Sequence, residues 1–350
     1  MKKKRLVLAA LVICLSFGMT GCGSAQKNTN VTAGMKAIES LNYAKAQTDF
    51  EKALVAGEEE SLVYRGQGIA YLGAADYEKA INAFTKCLST GNCMIGSMDY
   101  DVNFYLATAY DKAGKPAEAE KVYDAILALE PDKTQALYLR GQVRLEQGNA
   151  EKAKEDFDKV VKLEPQNYDM LINIYEALDQ SGAKQQGQEY LKKALTDGDK
   201  TMTDYEKGRV NFFMGDYESA RTFLKKAVDS GVAGSAYYLG KSWEATGDYN
   251  YAASVYTAYL QDHGEDALID NQLALCQMKL GDYEKALTAI QNGLNLNDAD
   301  MMQTLQFNQI VIYEHQGDFK QAAQLVNAYL GVYPDDAAAK REAEFLKTRS

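Results

Sequence analysis

One six-residue phrase recurs along the chain and constrains its fold more than any other feature. Its clearest form is Gly281-Asp282-Tyr283-Glu284-Lys285-Ala286, with close copies at 215–220 and 247–252. Looser versions occur at 41–46, 75–80, 114–119, 148–153, 182–187 and 317–322. The small residue that closes each copy falls at 46, 80, 119, 153, 187, 220, 252, 286 and 322. The spacing is therefore close to 34 residues, with one longer gap between 80 and 119. A fixed period of this length is the signature of stacked supersecondary units, and it precedes any domain count taken from length.

The phrase has a mechanical reading. Glycine lacks the Cβ that clashes in the left-handed conformation just past a helix C-terminus. The following Asp or Asn can cap the next helix, and a Glu in its first turn favours the helix dipole. Each copy therefore predicts helix, tight turn, helix. Numbering every repeat so that the closing small residue is position 20 brings other sites into line. Position 8 is Gly34, Gly68, Gly141, Gly208 and Gly240, with Ala107 and Ala274 in two further repeats. Position 24 is Phe50, Phe84, Tyr123, Phe157 and Tyr256, and position 32 is Pro131, Pro165 and Pro334. Proline just beyond a second helix ends it without breaking it, and Pro116 falls in a first turn, where its missing N–H is harmless. The fifth repeat departs, with Tyr175 at position 8 and Gly187 at position 20.

This pattern of small, aromatic and proline positions resembles the tetratricopeptide repeat, over nine copies within residues 33–334. The resemblance implies an all-α, right-handed solenoid of helix-turn-helix repeats whose first helices line the concave side. A single 34-residue hairpin buries too little apolar surface to stand alone, so each needs its neighbours. Residues 335–350, with Ala337, Ala338, Ala339, Ala343, Phe345 and Leu346 among charges, predict an amphipathic helix that caps the last repeat. The long gap predicts an insertion near 89–98, apolar for a loop because of Met94, Ile95 and Met98.

The first residues read differently. Lys2, Lys3, Lys4 and Arg5 precede an apolar run from Leu6 to Phe17, too short to span a bilayer comfortably. Met19-Thr20-Gly21-Cys22 resembles the lipobox of bacterial lipoproteins. That resemblance implies a signal peptide over 1–21, lipid on Cys22, a polar tether over 22–32, and a chain exported and held at the outer face of a bacterial membrane. With a net charge of −11 and no large basic tract, the expected partners exclude nucleic acid, and membrane residence would rest on the anchor.

Catalytic chemistry finds little support. His263 and His315 have no nucleophile or ligand partners nearby in sequence, and no metal-ligand spacing occurs. Gly240-Lys241-Ser242 mimics the end of a phosphate loop, but the required earlier glycine is Ser235. The expectation is a non-enzyme without cofactor or metal. Cys87 and Cys93 are close enough for a disulfide in an oxidising compartment, and a buried free Cys87 is the alternative.

What remains is a surface. By the family's geometry position 5 faces the groove: Arg65, Phe104, Tyr138, Tyr205, Tyr237, Asn271 and Phe307. Position 9 adds Gln142, Glu176, Arg209 and Lys241. Aromatic rings flanked by polar groups suit an extended peptide, which makes the expected function a protein-interaction scaffold. Stacking on a glycan or small ligand is the alternative. The Lys-and-Asn pattern with which some relatives clamp a C-terminal carboxylate is absent, since Arg65 and Ile69 stand there.

Overall fold

A computed structural model describes residues 28–90, 96–198 and 200–349. The expected signal peptide, Cys22, the first part of the tether, and Cys93 with the middle of the insertion lie outside the described residues. Helix begins at Thr29, inside the stretch expected to be tether, because Glu58 accepts hydrogen bonds from the Asn30 and Val31 N–H groups and satisfies the helix start.

The described chain is all-α, as expected, and divides into two compact units at Leu163. The first unit holds four hairpins. They are α1 (Thr29–Glu39) with α2 (Tyr43–Val55), α3 (Glu60–Gly73) with α4 (Tyr77–Ser89), α5 (Ser97–Lys112) with α6 (Pro116–Leu129), and α7 (Thr134–Glu146) with α8 (Ala150–Leu163). The second holds five: α9 (Tyr168–Ser181) with α10 (Lys184–Asp197), α11 (Asp204–Met214) with α12 (Tyr217–Asp229), α13 (Ser235–Glu244) with α14 (Tyr249–His263), α15 (Ala267–Lys279) with α16 (Tyr283–Asn295), and α17 (Ala299–Gln316) with α18 (Phe319–Val332). The expected cap is α19 (Ala337–Leu346), packed on α18. These nine hairpins and the cap are the solenoid fold that the repeat pattern implied.

The turn phrase works as its chemistry dictates. Gly114, Gly148, Gly182, Gly215, Gly247, Gly281 and Gly317 all take positive φ, and in the two remaining copies of the phrase Leu41 and Ala75 hold that conformation with a Cβ. Asn42, Asp76, Asp216, Asp282 and Asp318 each accept a hydrogen bond from the backbone N–H three residues on. The closing small residues are buried in every hairpin.

Each hairpin core trades volume between positions 8 and 24. A Cβ on Gly34 would lie 2.6 Å from the Phe50 ring, on Gly68 2.4 Å from Phe84, and on Gly141 2.5 Å from Phe157. Real Cβ atoms do not approach that closely, so the glycine is the seat that admits the ring. Phe50, Phe84 and Phe157 are fully buried there, each worth about 1.5–3 kcal/mol of burial. The fifth hairpin reverses the sizes: Gly187 lies against Tyr175, and a Cβ on it would meet that residue's backbone at 3.1 Å. The departure seen in the sequence is a repacked core.

The same volume logic places the caps of the cores. Ala339, Ala343 and Leu346 of α19 cover Ile310, Val326 and Tyr329 of the last hairpin. Asp336 fixes the entry to α19, accepting from the N–H groups of Ala338 and Ala339 and from the Tyr329 hydroxyl at 2.7 Å.

Candidate functional site

The position-5 and position-9 residues fall into two separate sets, one in each unit. In the first unit most are engaged locally. Arg65 of α3 donates through Nε to Asp101 of α5 at 2.7 Å and stands over the Tyr105 ring. Phe104 packs tilted against Tyr123 at 6.2 Å, and Tyr138 against Phe157 at the same distance. Gln142 donates to the Tyr138 hydroxyl at 2.8 Å.

The second unit gathers its set around one guanidinium. Arg209 of α11 lies against the rings of both Tyr205 and Tyr238, its carbon 5.3 and 5.2 Å from their centroids, a cation–π contact with each. It pairs with Asp169 of α9. Its Nε is buried and has no hydrogen-bond partner. Three successive first helices, α9, α11 and α13, therefore meet at this side chain.

Aromatic contacts continue outward from it. Tyr238 meets Tyr205 at 6.2 Å, Phe212 at 5.6 Å and Tyr237 at 5.2 Å, all edge to face. Phe213 links Tyr238 to Tyr175 of α9, 6.1 and 6.0 Å away. Edge-to-face packing aligns ring edges with negative faces, so the array is rigid as well as apolar. Loss of hydration raises the Tyr205 and Tyr237 hydroxyls above their ordinary range, so both stay protonated donors.

Charged neighbours complete the face. Lys241 pairs with Glu244 at 2.8 Å, and Glu244 also accepts from the buried Tyr256 hydroxyl at 2.6 Å. Glu176 stays exposed on α9, yet the surrounding wall strips enough water to raise its carboxyl, with Arg209 pulling the other way. Asn271 and Phe307 are different. Asn271 is buried and accepts from Asn308 at 2.7 Å, while Phe307 packs on Tyr329 at 5.8 Å. These two serve the core of their hairpins.

Sequence reasoning missed Tyr238, Phe212, Phe213 and Asp169. They sit at positions outside the two expected stripes; Asp169 and Tyr238 reach Arg209 from neighbouring hairpins, and Phe212 and Phe213 join the array through Tyr238. It also missed a stitch in the first unit. Buried Asp156 of α8 accepts from Arg140 and Arg144 of α7, while Arg144 also reaches Glu120 of α6 at 2.8 Å. A signal existed: Asp at position 23 recurs as Asp49, which is also buried and paired with Lys45 and Lys52.

The cysteines are quiet. Cys87 is buried with a free thiol that donates to the Ser61 carbonyl, and burial pushes that thiol up to about 11. Among the described residues no group of three or more His, Cys, Asp or Glu could hold a metal ion.

Comparison with known proteins fits this geometry. One tetratricopeptide repeat model matches residues 105–197 and 271–339, and a second matches 205–230. The FK506-binding protein 59 of Drosophila melanogaster is 32% identical over 114 residues, 31% of this chain; the chain spans only 26% of that protein. A tetratricopeptide repeat protein from Parabacteroides merdae is 14% identical with a TM-score of 0.43, covering 73% of this chain and 97% of its own. The human IFIT1 dimer with PPP-AAAA is 14% identical with a TM-score of 0.41, covering 93% of this chain and 88% of its own.

Two expectations are corrected. The exclusion of nucleic acid is withdrawn. Physically, a charge summed over a whole chain does not set the sign of one groove. The exported, membrane-held location with lipid on Cys22 is not carried forward either. It rested on a short residue pattern outside the described residues. Among the described residues no helix is long and apolar enough to cross a membrane.

Helical hairpins at a 34-residue period, glycine seats facing buried rings, capped turns and the family matches all agree: the chain belongs to the tetratricopeptide repeat family and is a protein–protein interaction module.

Proposed function

We propose that the chain is a scaffold that docks an extended peptide segment of a protein partner on the first-helix face of its second unit. The residues that would receive it are Glu176, Tyr205, Arg209, Tyr237 and Lys241. The supporting observation is the continuous aromatic array around Arg209, which spans α9, α11 and α13. Rigid rings beside polar groups supply contact area at low entropic cost, the pattern of an interface hot spot. Arg65, Phe104, Tyr138 and Gln142 form a second, smaller candidate face in the first unit. On this reading residues 33–334 are the repeat body and 335–350 its cap. Stacking on a glycan has less support, because the Tyr205 and Tyr238 rings are turned onto each other and onto Arg209.

The test is in-cell crosslinking followed by affinity capture, comparing the wild type with the double variant Tyr205→Ala, Tyr237→Ala. Circular dichroism establishes that the variant is folded. Proteins captured by the wild type and lost from the folded variant support docking at this face. Equal capture by both refutes it.

A further inference from the structure

The net charge is shared unevenly between the units. Residues 28–163 contain 16 Lys and Arg and 21 Asp and Glu, whereas residues 164–350 contain 17 and 28. The greater part of the acidic excess therefore belongs to the second unit. A field of one sign favours encounter with the opposite sign and disfavours like-charged segments.

Charge pairing on the first-helix face localises that excess. Arg209 is held by Asp169, and Lys241 by Glu244. Glu176 is left over. Its side chain is exposed, and among the described residues no group donates a hydrogen bond to it. An exposed carboxylate without a donor of its own is open to pairing with an arriving cation. Its raised carboxyl is consistent with that condition. Repulsion from Arg209 is limited, because that guanidinium is only 15% exposed and already matched by Asp169. Arg209 also provides an internal precedent. It shows a guanidinium resting against the Tyr205 and Tyr238 rings of this same face.

We infer that the segment docked here is basic, a stretch bearing Lys or Arg whose cationic head pairs with Glu176 while its stem lies along the tyrosine rings. This rests on the docking reading above and adds the chemistry of the partner. Long cationic side chains cover aromatic surface with their methylenes and keep the head at the carboxylate.

The test uses the full chain and three fluorescein-labelled peptides with one Ala, Leu and Tyr background, carrying Lys, Glu or Gln at the same alternating positions. Fluorescence anisotropy is read at low and at physiological salt. The Lys peptide is expected to bind tightest and to weaken as salt rises. Glu176→Gln should weaken it by about two- to fivefold, the range of one exposed ion pair, and leave the Gln peptide unchanged. Glu218→Gln, on the neighbouring second helix α12, should change nothing.

Tighter binding of the Glu peptide overturns the inference, as does an unchanged Lys-peptide affinity in Glu176→Gln. Equal losses in Glu176→Gln and Glu218→Gln also overturn it, since they mean diffuse attraction rather than a site. Glu-peptide binding that disappears in Tyr205→Ala, Tyr237→Ala would leave docking standing and sink only the basic preference. If none of the three peptides binds, the basic segment is rejected, and the crosslinking comparison still decides on docking.

Discussion

Tyr256 occupies the space that a side chain on Gly240 would need: a Cβ there would lie 2.2 Å from the ring. Tyr256 is fully buried and its hydroxyl is tied to Glu244, so the ring cannot step aside. Gly240→Ala is therefore expected to cost about 1–3 kcal/mol in urea melts. The eighth hairpin shows the aliphatic solution, with Ala274 opposite Ile290. Adding Tyr256→Ile to Gly240→Ala should recover part of the loss. A neutral single substitution would mean that the seat is not filled in solution.

Ala75 holds φ at 59° in the turn before α4, where most other hairpins use glycine. An L-residue with a Cβ is strained there by about 1 kcal/mol, partly offset by the greater chain entropy of glycine when unfolded. Ala75→Gly should raise stability by about 0.5 kcal/mol in the same urea melts. A destabilised variant would show that the turn carries no strain.

Glu314 of α17 faces Glu342 of α19, and its Oε1 is buried without a partner. Burial first, and then the second carboxylate, push the Glu314 carboxyl from 4.5 up to about 7. A carboxyl raised in the folded state contributes stability below its unfolded value and loses it as pH climbs through the folded one. The cap should accordingly loosen between about pH 4.5 and 7. Glu314→Gln is expected to raise stability at pH 8 by about 1 kcal/mol after allowance for solvent screening, with no gain at pH 4. Thermal melts across that range would expose a pH-independent effect, which contradicts the pairing.

Deletion of residues 335–350 uncovers Ile310, Val326 and Tyr329. The truncated chain should melt at lower temperature and bind a hydrophobic dye such as ANS. An unchanged melt would remove α19 from the role of a cap.

Most of the fold was legible because it depends on spacing within one hairpin. Gly34 and Phe50, or Gly141 and Phe157, lie at a fixed separation, and one chain read in register reveals both. Even the exception, Tyr175 with Gly187, announced itself as a break in that register. The face around Arg209 was only half legible. Tyr205, Arg209 and Tyr237 stood out by position, but Asp169 and Tyr238 come from neighbouring hairpins at positions that carry other residues elsewhere. Asn271 shows the opposite failure. It occupies a groove position by number, yet its amide is consumed by Asn308 inside the hairpin stack. Spacing predicts which side of a helix a residue shares, while pairing across hairpins decides what it does there.

The glycine seat and its ring are sixteen residues apart and belong to the same hairpin in each case, from Gly34 with Phe50 to Gly240 with Tyr256. Such a lock closes a short loop, so little chain entropy is spent before it forms. Folding can then start in any hairpin and spread to its neighbours without waiting for distant contacts. The same locality makes the hairpin a unit of exchange: removing or duplicating one whole copy, cut at the turns, leaves the sixteen-residue locks of the others intact, and disturbs only contacts between neighbours such as Gly66 on Phe50.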